Sequence, residues 1–391
     1  MKFISLLTIS IHCHVHALTI QIDYTYDTSD FFNTQAKRDA IEAVAKFYGN
    51  LIQDNLLRID AAEYPGCSWT AIPRHPATGS TINIPNLVVP ANTIIVYVGA
   101  RDLGVSTVGV AGPGGWSGSS ANAGWFPLLR GRGSAGAAIE TAALRTDFAP
   151  WGGSIAFDID STWNFSQSQN SSGTDFISIA LHEMGHVLGI GTSDSWLNKI
   201  YSTLFTGGAS TRSYGSNPPL SGTGHFGGAG TTSRSFGSFN VTHGTTRQVL
   251  MLPTLMDDNS NLVVASDLDL AAFVDIGWQI SPQLMLKPAG FGPAGASFSW
   301  NSSSFFDYKV QRGSNLILFP DGNATAAGNG GIQVWTDPAP PSARAFYRLS
   351  RTEVFPVPQN SPAALMAPTR GFPTTASEEP RVVAGCGHPG N

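Results

Sequence analysis

The chain has 391 residues, 42% of them hydrophobic and only 13% charged, with a formal net charge of -5. These values exclude a disordered or fibrous chain and leave enough apolar residues to fill one large domain and a small one. A pI near 6.0 gives no reason to expect nucleic acid or an anionic membrane as a partner. The 43 Gly and 25 Pro point to a loop-rich protein, largely β or α+β, and low charge with plentiful Ser, Thr, Asn and Gly suits an extracellular one.

Met1–Ala17 reads as a secretory leader, to be removed from a secreted protein. Lys2 supplies the positive start, Phe3–Ile11 the apolar run, and Val15 and Ala17 the small residues before cleavage. His12, Cys13, His14 and His16 make its end unusually polar, and a buried N-terminal strand is the competing reading. The run is too short to span a bilayer, and no later stretch is long and apolar enough to do so. Cys13 would leave with the leader, while Cys67 and Cys386 are too far apart to define a disulfide scaffold. Cys67 as a latency thiolate on a metal has no motif behind it.

Ile20, Ile22, Tyr24 and Tyr26 alternate within a strand expected over Leu18–Asp27. Asn33 or Thr34 then caps a helix to about Asn55, with Ala40, Ile41, Val44, Phe47, Tyr48 and Leu51 on its buried stripe. Strands follow at Thr81–Ile84 and Thr93–Val98. Gly104–Gly124 reads as a long surface loop, whose AGPGG run lacks the Lys-Ser/Thr ending of a phosphate loop. Gly152–Asp160, GGSIAFDID, reads as a strand that could, at a sheet edge, pair with an extended peptide. Asp158 and Asp160 could bind Ca²⁺, but a carboxylate-rich turn is preferred.

Asp175–Gly191, DFISIALHEMGHVLGIG, carries His182, Glu183 and His186 as H-E-x-x-H. Residues four apart share one face of a helix, so both imidazoles can reach one ion. Zn²⁺ accepts imidazole nitrogens and, in catalytic sites, keeps a position for water. The carboxylate of Glu183 can take that water's proton, a pattern that hydrolyses amides. Phe176, Ile179, Ala180, Met184, Val187 and Leu188 make the helix half-buried, Ser172 or Thr174 could cap it, and Gly189 and Gly191 could end it. The competing reading is a core helix with two satisfied histidines, which burial of two His and a Glu makes costly.

Leu197–Asn240 reads as loops wrapped over the site or as a partly disordered stretch, and Ser266–Trp278 as a capped helix. Pro288 to Gly295 suggests a linker. Phe298–Trp300, Tyr308–Gln311, Leu316–Phe319, Ile332–Trp335 and Phe346–Leu349 then recur as the short strands of a β-sandwich. The expected division is a leader at 1–17, a protease domain at 18–281, an accessory sandwich at 288–351 and a disordered Pro-rich tail at 352–391.

A third ligand is needed. His182, Glu183, His186 and Gly189 fit the metzincin pattern H-E-x-x-H-x-x-G-x-x-H, but its last position is Thr192. The pieces HEMGHVLGIGT, GTGHFGG, VLMLPTLM and LDLAAFVDIGW resemble the leishmanolysin-like zinc metalloproteases and their secreted bacterial relatives. In that family the third His follows a long insertion and precedes a methionine turn. The resemblance implies a metzincin-type α+β fold, with a twisted mixed sheet over the active-site helix. It also implies His225 as third ligand and Met251 as an apolar floor beneath the metal. Elimination favours His225 too, since beyond the leader the other His are His75, His243 and His388. His243, only eight residues before Met251, and Asp194 stay open as rivals.

The expectation is a secreted zinc-dependent endopeptidase acting on protein or peptide substrates, with Glu183 as general base and His182, His186 and His225 on Zn²⁺. A zinc amidase acting on wall polymer, and a non-catalytic adhesion or matrix protein with structural zinc, are the alternatives. Oligomeric state is not legible.

Overall fold

The computed structural model describes residues 18–132, 148–166, 173–228, 231–239, 241–254, 262–280, 286–313, 319, 321–340, 345–353 and 377–378. The expected leader and Cys386 lie outside these residues, as do most of the expected tail and part of the strand expected at Leu316–Phe319.

A mixed sheet carries the molecule. Its strands are β1 (Thr19–Asp23), β4 (Thr93–Arg101), β7 (Gly152–Asp158) and β5 (Gly109–Pro113), hydrogen-bonded in that order. β1 and β7 lie parallel to β4, and β5 runs antiparallel to β7 with Gly109 opposite Phe157 and Pro113 opposite Gly153. TIIVYVGA in β4 is buried throughout, because apolar layers cover both faces of the sheet.

On one face, Ile94, Val96, Val98, Ile155 and Phe157 pack with α1 (Gln35–Leu51) and α3 (Phe176–Val187). Thr34 caps α1 by accepting a hydrogen bond from the Lys37 amide. On the other face, Ile95, Tyr97 and Trp151 meet Trp69, Trp116 and Trp125. Those tryptophans come from β2 (Ser68–Ile72), β6 (Gly115–Ser119) and α2 (Trp125–Gly131). β6, β2 and β3 (Ile84–Pro85) form a second sheet, to which Ser377–Glu378 adds a strand beside β6.

Three readings are corrected. Gly104–Gly124 is not a loop: it contains β5 and β6, whose small residues let neighbouring layers approach closely. Gly152–Asp158 is not an edge strand, because β5 covers it and takes the edge among the described residues. The zinc-motif helix is not half-buried, since every residue from Phe176 to Val187 is buried. It lies between the sheet, α1 and the segments that follow, and a helix apolar on most sides can be enclosed.

Further on come α4 (Asp194–Leu197), α5 (Gly208–Tyr214) and α6 (Asp267–Asp275), with α5 packed against α6. α6 starts with a capping box in which Ser266 and Asp269 exchange side-chain to backbone hydrogen bonds. From Lys287 the chain forms two three-stranded antiparallel sheets. One joins 287–292, 295–301 and 332–337; the other joins 321–327, 306–313 and 346–353. The Pro and Gly read as a linker thus form a hairpin, Lys287–Gly292 with Gly295–Asn301. Trp300, Phe305, Phe306 and Tyr308 join the main core, and Asp267 at the start of α6 accepts a hydrogen bond from the Ser304 amide. Glu353 still belongs to a strand, so the irregular tail does not begin at 352. No helix among the described residues is long and apolar enough to cross a membrane.

Candidate metal centre

Sequence dictates where α3 begins and stops. Asp175 is its N-cap, a residue that sequence reading passed over for Ser172 or Thr174. Its Oδ1 accepts from the Ser178 amide and hydroxyl, both at 2.7 Å. Gly189 and Gly191 then take φ values of +107° and +75°, which turn the chain out of the helix. A Cβ on Gly191 would stand 2.2 Å from the Gly224 carbonyl oxygen. That contact seats the segment before His225 against the helix end. Trp196 strengthens it by donating its indole N–H to the Thr223 carbonyl at 2.7 Å.

His225 starts a two-residue strand, His225–Phe226, paired with Leu220–Ser221. The Phe226 amide donates to the Met251 carbonyl at 2.9 Å, so the His225 segment is tied to the chain beneath the helix. Nε2 of His186 lies 3.0 Å from Nε2 of His182 and 3.1 Å from Nε2 of His225. All three rings are buried.

The tautomers follow from the outer partners. His182 Nδ1 sits 2.8 Å from the Leu250 carbonyl, and His186 Nδ1 sits 2.8 Å from the Ile190 carbonyl. A carbonyl only accepts, so each Nδ1 carries the proton and each Nε2 turns a lone pair inward. Facing lone pairs repel unless a proton or cation stands among them. Protonation is opposed: burial, then neighbouring imidazoles, hold His182 well below the usual histidine range, and burial pushes His186 down to about 4. His225 is pushed down to about 3 by burial and by His186. Nitrogens at about 2.0–2.1 Å from a tetrahedral Zn²⁺ stand roughly 3.3 Å from one another, close to the spacing here. The donor set therefore fits a zinc ion.

Two further features adjoin the triad. Met251 packs under the helix so closely that a Cβ on Gly185 would lie 2.6 Å from its sulfur. The Leu250–Met251 turn is held by Asp269, whose carboxylate accepts from the Leu250 amide at 2.9 Å and the Met251 amide at 3.0 Å. Sequence reading gave Asp269 only a place in the first turn of a helix; nothing local marks its hold on a turn that supports His182. Glu183 is buried, and burial pushes its carboxyl up to about 8. Its Oε1 has no hydrogen-bond partner among the described residues. The edge strand β5 faces it through Gly109, where a Cβ would come within 2.6 Å of Oε1. Gly109 was missed because the stretch around it reads as a loop.

The rivals for third ligand lie elsewhere. His243 Nε2 meets the Ser302 carbonyl at 3.1 Å, and Asp194 opens α4. Asp102, Asp158 and Asp160 form a separate acidic group with ligand atoms within 4.8 Å of one another. There Asp158 already accepts from the Leu103 amide at 3.0 Å and the Ser161 hydroxyl at 2.6 Å. Cys67 lies beside Ser120, against the second core and not at the triad.

Comparison with known proteins agrees with the chemistry of the donor set. A family profile described as Peptidase_M10, matrixin, matches residues 136–208. Matrix metalloproteinase-2 of Drosophila melanogaster is 54% identical over 43 residues, which is 11% of this chain and 6% of that protein. The chain thus aligns with only a small part of that relative. No solved structure matches. The matches support a metzincin-type zinc metalloprotease and do not single out the leishmanolysin-like group.

Proposed function

We propose that this protein is a secreted zinc-dependent endopeptidase in which His182, His186 and His225 hold Zn²⁺ and Glu183 is the general base. The observation that carries this reading is the meeting of three imidazoles whose Nε2 atoms lie 3.0 and 3.1 Å apart, next to a buried carboxylate oxygen without a partner among the described residues. Bound zinc lowers the pKa of a coordinated water and polarises a substrate carbonyl.

The chain's own residues supply the rest. The Leu250 and Ile190 carbonyls fix the two helical imidazoles in the tautomer that offers Nε2. Glu183 takes the proton of the attacking water and passes it to the leaving amine. A peptide laid along the free edge of β5 gains main-chain hydrogen bonds and comes past Gly109 to the Glu183 carboxylate. Placement in the leishmanolysin-like group rests on the interval between His186 and His225, |i−j| = 39, followed by the turn at Met251. Secretion rests on the leader reading of Met1–Ala17, and an accessory or anchoring role for the strands after Lys287 rests on fold-level analogy alone.

The test is cleavage of an unfolded protein such as casein, with metal analysis alongside. Purified protein should carry about one zinc per chain, lose cleavage to a chelator and regain it with zinc. A protein that binds zinc and cuts wall polymer but no polypeptide would be an amidase. One that binds zinc and cuts neither would be a structural zinc protein.

A further inference from the structure

On the face of the sheet turned away from α3, along β5 and β7, lies a cavity of about 240 Å³ that the chemistry above does not use. Side chains alternate across a strand, and Gly109 and Ala111 face α3. Val110 and Gly112 therefore turn to the opposite face, where they line the cavity with Ser154 of β7. Its wall is the segment bearing Arg74 and Gly79, together with Arg101 at the end of β4.

Among the described residues the two guanidiniums have no anionic partner. Arg101 Nη1 donates to the Pro76 carbonyl at 2.8 Å, and Arg74 Nη1 to the Thr81 hydroxyl at 3.3 Å. Arg74 Nε is shut away from solvent and has no hydrogen-bond partner among the described residues. Burial, and then the charge of Arg74, hold Arg101 below the usual guanidinium range. Gly79, at φ +74°, leaves room for this arrangement: a Cβ there would stand 3.3 Å from Arg101 Nε. Two like charges at one cavity wall repel, and a carboxylate entering the cavity would relieve that repulsion.

We propose that this cavity is a specificity subsite for an aspartate or glutamate side chain of the substrate, held by Arg74 and Arg101. The proposal rests on the endopeptidase reading. An antiparallel peptide, the more stable pairing, would run along β5 from Pro113 toward Gly109 and reach Glu183 with its scissile bond. The residues beside Val110–Pro113 then precede that bond, within roughly 14 Å at about 3.4 Å per residue. Every second one of them turns its side chain to the cavity.

A peptide series carrying one glutamate, stepped through the four residues before the scissile bond, tests this against glutamine controls. Wild-type enzyme should favour glutamate roughly tenfold in kcat/KM at alternate positions, as a charge-assisted hydrogen bond allows. The ratio should approach one in the double variant Arg74→Gln, Arg101→Gln. Arg74→Glu should shift the preference toward a lysine-bearing peptide, a gain that misfolding would not produce. Binding of the same peptides to zinc-loaded Glu183→Gln, read by fluorescence anisotropy, is the arm that does not need turnover. Equal binding of glutamate and glutamine peptides, or no peptide binding, would overturn the subsite. Preferential glutamate binding that the arginine variants abolish, with no wild-type cleavage of any peptide, would uphold the subsite and sink the protease reading.

Discussion

Two members of the triad come from one helix, and the third arrives on the segment around Gly224, |i−j| = 39 from His186. His182 and His186 are brought together by helical pitch, and a carbonyl orients each. His225 depends on fits between distant stretches: Gly191 against Gly224, Trp196 on Thr223, and Phe226 on Met251. Local geometry thus supplies a pair of candidate ligands, and tertiary packing brings a third imidazole to the pair.

The sharpest contrast separates chemistry from ligation. Glu183→Gln should lower peptide cleavage by roughly 10²–10⁴-fold, the contribution expected of a general base, with zinc content unchanged. Loss of zinc from that variant would mean that Glu183 acts in ligation and not in proton transfer. Next, Gly191→Val strikes mainly the tertiary half, although the adjoining Ile190 carbonyl also orients His186. It puts a β-branched residue at φ +75° and a Cβ within 2.2 Å of the Gly224 oxygen. The left-handed backbone alone costs about 1–3 kcal/mol. Zinc content should fall well below one per chain while helical circular dichroism is kept. Full zinc occupancy in Gly191→Val would show that the close approach is not what seats His225.

Asp269→Asn probes the support beneath His182 and should weaken zinc binding by roughly 10–100-fold in a chelator competition. The pH dependence of the zinc-free protein is a gentler test. His186 and His225 have folded pKa values of about 4 and about 3, below the ordinary 6.5, so the unfolded chain binds more protons in between. Their stabilising effect is present above about pH 6.5 and is lost as pH falls toward 4. Thermal melting from pH 8 to 4 should show that decline, with a shallower slope in His225→Asn. The smallest effect belongs to the helix itself. Asp175→Ala should cost about 1 kcal/mol as a lost N-cap and leave zinc stoichiometry unchanged.

The same division explains what the sequence disclosed. H-E-x-x-H is a period, and a period survives without a partner, so α3 and its two imidazoles are readable. The α1 stripe and the Ser266 cap are readable for the same reason. Gly109–Pro113 was hidden because glycines carry no strand signal, although a small residue is required where β5 meets Glu183. Asp175 is hard to single out because Ser172, Thr174 and Asp175, within four residues, can each cap a helix. His225 was approached through resemblance and elimination, and Asp269 as a brace for the Leu250–Met251 turn not at all, since both act across the chain.

Anomalous diffraction at the zinc edge from crystals of the purified protein reads the centre directly. The expected result is one peak with Nε2 of His182, His186 and His225 each at about 2.0–2.1 Å. A peak bonded to His243 or Asp194 in place of His225, or no zinc at α3, would contradict it.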